Sequence, residues 1–326
     1  MKIDIHSHFL PQEFVAMLAE EKNDLQAKLV KKEGITWVCH DQGYTYPLLA
    51  GFYDPEARLK DMAEAGIDMA VLSVAPPLFY YWAEAKLAAK VARLVNNSIK
   101  EQVRAYPESF LGMGTVPMQD PALAVEELHY CVEELGFKAV QIGSNVEGEQ
   151  YDDPKFLPFF KACDELQVLV TLHPYYVGAK GMFSKYYLTN LLGNPLDSTI
   201  AAASLIFGGV MEQCPGLKVC IVHGGGFLPY QFGRLAHGYK VRPEPKVKQV
   251  KAPDCYLKRI YFDTILFNEK ALQYLVDFAG AGQVLMGTDY PFDMGEKDPV
   301  ELVSRSGISP AEIPLILGAN AESLLR

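Results

Sequence analysis

Eight short runs of apolar, mostly β-branched residues recur along the 326-residue chain, and longer stretches with a helical spacing of apolar residues separate them. The runs cover residues 2–6, 68–74, 110–115, 139–143, 168–172, 218–222, 260–263 and 284–287. The helical patterns include residues 55–65, 83–105, 121–135, 154–166, 197–213 and 270–279. Buried parallel strands have this composition, and each needs a long crossover to the next. The order predicts an α/β fold of the (β/α)8 TIM-barrel class.

A doubly wound open sheet is the competing architecture for such an alternation. That fold usually has a glycine-rich, phosphate-binding turn directly after its first strand. Here the corresponding segment, residues 6–11, is HSHFLP and contains no glycine. The barrel is therefore the better interpretation, and no dinucleotide fingerprint is present to suggest a redox cofactor.

Two connections are longer than ordinary barrel loops. Residues 11–52 follow the first strand and contain a helical pattern at 13–29, then strand-like runs near 35–38 and 44–49. Residues 175–193 follow the fifth strand and are rich in aromatic residues and glycine. Both leave the carboxyl ends of strands, where barrel active sites lie. We predict one barrel domain over residues 1–326 with a small inserted cap over about residues 11–52.

Composition limits the classes of partner. Asp and Glu total 40 against 30 Lys and Arg, a net charge of −10 with no basic stripe, so nucleic acid is not expected as a partner. No stretch reaches about 18 apolar residues, so no membrane association is expected. The six cysteines form no CxxC pair and no secretory signal precedes them, which is typical of reduced thiols in a cytoplasmic protein.

Polar residues follow several of the predicted strands. His6 and His8 are two positions apart, and such side chains point to the same side of an extended segment, where two imidazoles can bind one metal. An isolated pair of this kind is more often two ordinary surface histidines. However, His173, His223 and Asp289 follow the fifth, sixth and eighth runs. Because carboxyl ends of barrel strands meet at one mouth, the five residues predict a shared site there.

This set of strand-end residues resembles the signature of the amidohydrolase superfamily. Six segments narrow the resemblance: MKIDIHSHFLP at 1–11, DPEAR at 54–58, GMGTVPMQ at 112–119, ELGFKAVQIG at 134–143, HGGGFLPY at 223–230 and GTDYPF at 287–292. They are similar to the amidohydrolase 2 branch of metal-dependent, non-oxidative decarboxylases, which includes the 2-amino-3-carboxymuconate-6-semialdehyde decarboxylase family. The similarity covers nearly the whole chain.

The resemblance implies one metal ion, usually zinc and sometimes manganese, with the ligands His6, His8, His173 and Asp289. It also implies that His223 is the catalytic acid/base residue and not a ligand, with Asp289 sharing in proton handling. Binuclear members of the superfamily that the chain resembles carry a bridging lysine after the fourth strand. The sequence there is Gln-Ile-Gly at 141–143, which favours a single metal.

One departure from the family concerns the substrate carboxylate. The family has an arginine in the cap, shortly before the DPEAR segment, but residues 41–53 (DQGYTYPLLAGFY) contain neither Arg nor Lys. A second family arginine, supplied across a dimer interface, matches Arg234, which implies a homodimer; without the resemblance Arg234 would be interpreted as a solvated or structural residue. We expect Tyr44 or Tyr46 to replace the missing charge with a phenolic hydrogen bond, and Phe292 to form a pocket wall.

The sequence thus predicts a carbon–carbon lyase that decarboxylates a small unsaturated or aromatic carboxylic acid. Metal-dependent hydrolysis of a small amide, lactone or related bond is the main alternative, because fold and ligands do not fix the reaction. A non-catalytic metal-binding or scaffold protein is a further alternative. It does not account for an acid/base residue and long loops beside the same site.

Overall fold

A computed structural model describes residues 1–20, 23–175, 182–248 and 251–326 of the chain. The strands are β1 (Ile3–Phe9), β2 (Ala27–Lys32), β3 (Ile35–His40), β4 (Thr45–Pro47), β5 (Met69–Val74), β6 (Phe110–Gly112), β7 (Gly114–Thr115), β8 (Ala139–Gly143), β9 (Leu169–His173), β10 (Lys218–Ile221), β11 (Ile260–Asp263) and β12 (Val284–Leu285). The α-helices are α1 (Gln12–Leu18), α2 (Ala50–Tyr53), α3 (Pro55–Glu64), α4 (Ala85–Ala105), α5 (Pro121–His129), α6 (Leu157–Glu165), α7 (Asn194–Phe207), α8 (Val210–Gln213), α9 (Leu228–Val241), α10 (Glu269–Ala279), α11 (Pro299–Arg305) and α12 (Asn320–Leu325).

The parallel strands form a closed barrel. β1 pairs with β5 and β5 with β6, while β7, β8, β9, β10, β11 and β12 pair in sequence. β6 and β7 are one barrel strand interrupted at Met113, whose N–H donates to the Leu72 carbonyl at 3.0 Å. The segment around β12 bonds back to β1, through Ile5 N–H to the Met286 carbonyl at 2.9 Å and Asp289 N–H to the His6 carbonyl at 2.8 Å. The predicted (β/α)8 fold is confirmed.

Local sequence explains where the outer helices begin. Asp54 accepts a hydrogen bond from the Glu56 N–H at 2.9 Å, and Pro55 occupies the first turn of α3. Asp120 and Pro121 do the same for α5. A side-chain oxygen satisfies an N–H that has no partner within the helix, and proline there loses no hydrogen bond.

The cap segment differs in detail from the sequence prediction. The helix expected over residues 13–29 is wrong in its extent, because α1 ends at Leu18 and β2 begins at Ala27. β2, β3 and β4 form an antiparallel sheet, and the two strand-like runs correspond to β3 and β4. Tyr80, after β5, donates its hydroxyl to the Leu25 carbonyl at 2.7 Å and ties this segment to the barrel. The division into one domain with a cap insertion stays a prediction.

The lower interior of the barrel is filled by apolar side chains. Ile3, Val71, Leu169 and Leu285, from four different strands, are buried in one cluster, which Ala321 of α12 also joins. Interior packing of this kind leaves the carboxyl-end mouth as the place for polar side chains. Within the described ranges, no helix is both long and apolar enough to cross a membrane. Of the predicted long connection at 175–193, residues 176–181 lie outside the described residues.

Candidate metal centre

A bulge in β1 brings His6 and His8 into the barrel mouth. Pairing with β5 advances three residues on β1, from Asp4 to Ser7, against two on β5. Side chains alternate along a strand, so Ile5 in the interior cluster would otherwise place His6 outside. The extra residue resets the alternation. The predicted bounds of 2–6 placed the two histidines at the end of the first strand. β1 instead runs to Phe9, so both histidines lie within the strand.

Four buried side chains converge at this mouth. His6, His8, His173 and Asp289 each offer one ligand atom, and these atoms all lie within 4.8 Å of one another. The two Nε2 atoms of His6 and His8 are 3.0 Å apart, and Asp289 Oδ1 is 2.8 Å from His8 Nε2. The described part of the chain thus brings the four predicted ligands into one cluster.

Contacts on the far side of each ring determine which nitrogen carries the proton. The carbonyl of Val74 lies 3.1 Å from His8 Nδ1, and the Pro174 carbonyl lies 2.9 Å from His173 Nδ1. Carbonyls only accept hydrogen bonds, so both Nδ1 atoms donate. His6 Nδ1 faces Asp263 Oδ2 at 2.8 Å. Each Nε2 atom is left with a lone pair directed into the cluster.

This arrangement fits a cation. Two lone pairs facing each other at 3.0 Å cannot form a hydrogen bond, and His173 Nε2 is buried without a partner among the described residues. A buried nitrogen without a partner carries a desolvation cost. Three imidazole nitrogens and one carboxylate oxygen form a ligand set that suits zinc and related divalent ions.

The protonation states agree with that ligand set. Burial lowers the pKa of His8 and, more strongly, the pKa of His173, which keeps both rings neutral. Burial alone would raise the pKa of Asp289, but the neighbouring His223 imidazole holds that pKa well below its usual value. The pKa of His6 is raised despite burial, because the Asp263 and Asp289 carboxylates outweigh desolvation. The negative charge of these two carboxylates would also favour a bound cation.

His223 lies beside the cluster in a turn of left-handed backbone. Its φ is +56°, and Gly224, Gly225 and Gly226 have φ values of +60°, +80° and +62°. Glycine adopts this conformation without the cost that other residues meet. His223 Nε2 is 3.6 Å from Asp289 Oδ2, and the His223 side chain is 18% exposed, whereas those of His6 and His8 are fully covered. The structure therefore places His223 next to the four clustered side chains, but with more exposure to solvent than His6 and His8.

The cluster opens to a pocket of about 260 Å³ that His223 and Asp289 line. Apolar side chains form much of the remaining wall, among them Leu266 and Phe267. A larger cavity of about 470 Å³ lies between α3 and residues 288–298, and none of the clustered histidines lines it. The smaller pocket is the one with access to the polar cluster.

The other predicted site residues lie at different distances from the cluster. The Phe292 ring centroid is 5.1 Å from that of His8, so Phe292 contacts one of the four side chains. Tyr46 is buried, with its hydroxyl 3.5 Å from His40 Nε2 inside the cap. Tyr44 instead stacks on Tyr175, with ring centroids 6.2 Å apart. Arg234 is exposed on α9, and its side chain has no hydrogen bond or ion pair to any described residue.

Sequence reasoning missed two supporting residues. Asp263 accepts hydrogen bonds from His6 and from the Gly224 N–H; the signal was an acidic residue ending the seventh apolar run. Arg58 is buried and donates to Ser7 Oγ at 3.0 Å, to the Gly51 carbonyl at 2.9 Å and to the His8 carbonyl. Its signal was the DPEAR segment, in which it is the last residue.

The fold and the cluster define a (β/α)8 barrel with a histidine and carboxylate site at its mouth. The family model described as Amidohydrolase matches residues 3–326, and the chain belongs to this family. The 2-amino-3-carboxymuconate-6-semialdehyde decarboxylase of Dictyostelium discoideum is 34% identical over 340 residues, covering 100% of this chain and 91% of that relative. The gamma-resorcylate decarboxylase of Polaromonas sp. is 29% identical over 290 residues, covering 83% and 87%.

A solved structure shares the same architecture. It is a dihydroxybenzoic acid decarboxylase from Polaromonas sp. with bound manganese and the inhibitor 2-nitroresorcinol. The TM-score is 0.81 at 25% identity, and the alignment covers 99% of this chain and 96% of that one. These similar proteins are carboxy-lyases by name, which agrees with the reaction class predicted from the sequence.

Proposed function

We propose that this protein is a metal-dependent, non-oxidative decarboxylase of a small aromatic or unsaturated carboxylic acid. The observation that carries the proposal is the convergence of three imidazole Nε2 atoms and the Asp289 carboxylate beside the partly exposed His223. Relatives at 34% and 29% identity are named decarboxylases, which supports the same reaction class.

His6, His8, His173 and Asp289 would hold one divalent ion. Zinc is our first choice because imidazole nitrogens dominate the ligand set, and manganese is the alternative because the Polaromonas structure contains it. When bound, the metal would supply Lewis-acid polarisation of a substrate oxygen. The remaining chemistry belongs to the protein's own side chains.

His223 is proposed as the proton donor. Loss of CO2 from an sp² carbon would leave an anion in the plane of the π-system, so this carbon is protonated before the bond breaks. The His223 imidazolium transfers its proton to the carbon that carries the carboxylate. The C–C bond then breaks, its electron pair restores the conjugated system, and CO2 leaves. Asp289, 3.6 Å from His223 Nε2, stabilises the positive charge of the imidazolium before transfer.

We propose that the protein is a homodimer and that Arg234 recognises the charge of the substrate. The Arg234 guanidinium has no partner within the described part of its own chain and lies on an exposed face of α9. We propose that it enters the pocket of a second subunit and binds the substrate carboxylate. Phe292 lines the larger cavity and packs against the His8 ring, so it would reach the substrate only beside His8, and Tyr46 would support Phe292 through Phe52. All six cysteines are free, which supports the proposed cytoplasmic location.

The test is CO2 release from the metal-loaded protein. A panel of hydroxybenzoates, related ring acids and 2-amino-3-carboxymuconate-6-semialdehyde is incubated with protein reconstituted with zinc or manganese. Release of CO2 with stoichiometric formation of the decarboxylated product would support the proposal. Hydrolysis of amides or lactones, with ¹⁸O from solvent entering a product and no CO2 released, would instead establish the alternative.

A further inference from the structure

Two asparagine side chains line the pocket from the side of α7. Asn190 and Asn194 share the pocket of about 260 Å³ with His223 and Asp289. Both are half-buried, and neither side-chain amide has a hydrogen bond to another described residue. A carboxamide offers two donors and an acceptor, so these groups are available to a bound ligand.

The position of Asn194 relative to His223 is fixed by close packing. The first turn of α7 approaches the His223 turn so closely that a Cβ on Gly226 would lie 2.1 Å from the Pro195 carbonyl oxygen. The Thr199 hydroxyl donates to that same carbonyl at 2.7 Å and accepts from the Phe227 N–H at 2.8 Å. Only glycine allows this contact. The turn of α7 that carries Asn194 is therefore held in a fixed position beside the turn that carries the proposed proton donor.

The charge of the pocket limits what the amides can recognise. None of the described residues that line it is Lys or Arg, and His223 and Asp289 are its only ionisable side chains. A second substrate carboxylate placed against this wall would have no cationic partner, and burying an unpaired charge is costly. A hydroxyl group, in contrast, forms neutral hydrogen bonds with an amide. The apolar remainder of the wall, including Leu266 and Phe267, suits a ring.

We infer that Asn190 and Asn194 are specificity-determining residues that bind an uncharged hydroxyl substituent of a ring acid. This inference rests on the proposed function and makes its substrate class narrower: a monocarboxylic hydroxylated ring acid. The carboxylate is held elsewhere in the site, and the amides bind the substituent.

The experiment measures binding and not turnover. Affinities of benzoate and of 2-, 3- and 4-hydroxybenzoate are measured by calorimetry on zinc-loaded wild-type protein and on the variants Asn190→Leu and Asn194→Leu. We expect at least one hydroxybenzoate to bind wild-type protein more tightly than benzoate. Each variant should weaken that hydroxybenzoate about two- to tenfold, the range for one neutral hydrogen bond, and benzoate less than about twofold.

Three results would overturn the inference. In the first, no hydroxybenzoate binds wild-type protein better than benzoate. In the second, the variants leave hydroxybenzoate binding unchanged. In the third, both ligands weaken equally, which would mean that the amides hold the carboxylate. Asn268→Leu, which removes an amide that caps α10 outside the pocket, should leave the ratio of the two affinities unchanged.

The experiments distinguish a failure of this inference from a failure of the proposed function. CO2 release is measured on wild-type protein alone, so a protein that binds the hydroxybenzoate through its amides but decarboxylates no acid disproves only the function. A protein that releases CO2 while the two variants keep wild-type selectivity disproves only the assignment of Asn190 and Asn194.

Discussion

Asp263 Oδ2 lies 2.8 Å from His6 Nδ1, and this contact joins the last residue of β11 to the first clustered histidine of β1. The other oxygen of the same carboxylate accepts from the Gly224 N–H at 2.8 Å, directly after His223. One side chain therefore orients both a candidate ligand and the turn that carries the proposed proton donor. Burial raises the pKa of Asp263, but the His6 hydrogen bond, the nearby His6 and His223 rings and the Gly224 N–H together outweigh burial, and the net pKa is lowered.

Asp263→Asn should weaken metal binding while the barrel stays folded. The amide keeps the size of the side chain, and its oxygen can still accept from Gly224, but its NH2 then faces His6 Nδ1. That favours the tautomer with the proton on Nε2, which has no lone pair for a metal. We expect a loss of about 10- to 100-fold in zinc affinity, measured by competition with a chromophoric chelator. Unchanged affinity would show that Asp263 does not orient His6.

The cluster geometry predicts one tightly held divalent ion per chain. Elemental analysis of protein purified without chelator measures it, and two ions per chain would reject the mononuclear assignment. His6→Ala and His8→Ala should each remove the ion and the activity together, because each deletes one of four ligands. Circular dichroism should remain that of a folded barrel, since the interior cluster around Val71 and Leu169 does not involve the site.

His223→Ala should behave differently from the ligand variants. Its side chain lies outside the set of four clustered ligands, so the metal content should stay at the wild-type value. The kcat should fall by about 10² to 10⁴, the range for a positioned acid or base. Loss of metal from His223→Ala protein would make His223 a ligand and contradict its proposed role.

The sequence allowed the strand order and the four clustered side chains to be predicted, because apolar runs and strand-end polar residues are local signals. The bulge in β1 gave no such signal: Ile3, Ile5, His6 and His8 do not keep one alternating period, and only pairing with β5 explains why all four face inward. Asp263 is 257 positions from His6, so their contact depends on barrel closure. The prediction of a helix over residues 13–29 was wrong in its extent because the antiparallel sheet overrides the local helical pattern.

Arg234 offers a test of the proposed dimer that does not depend on a structure of the complex. Arg234→Ala and His223→Ala homodimers should each have little activity. If Arg234 completes the pocket of the other subunit, a hybrid dimer contains one pocket with both His223 and a partner's Arg234. Hybrids isolated with two affinity tags should therefore recover activity. Because one of the two pockets is complete, the recovered activity should reach up to about half of the wild-type value. No recovery in isolated hybrids would place Arg234 in the pocket of its own chain or outside any pocket.

The last prediction concerns substrate choice. A carboxylate held by two arginines loses charge-assisted hydrogen bonds when one is missing, and each such bond contributes roughly 1.5–3 kcal/mol. At about 1.4 kcal/mol per tenfold, that is one to two orders of magnitude in binding. Residues 41–53 contain no arginine, and Tyr44 and Tyr46 make contacts with Tyr175 and His40. We therefore expect slower turnover of 2-amino-3-carboxymuconate-6-semialdehyde than of a hydroxybenzoate, measured as kcat/KM in parallel assays. The contrary result is a kcat/KM for the semialdehyde above about 10⁵ M⁻¹s⁻¹, within the usual enzyme range, and higher than the kcat/KM of every hydroxybenzoate. It would show that another cation replaces the missing arginine.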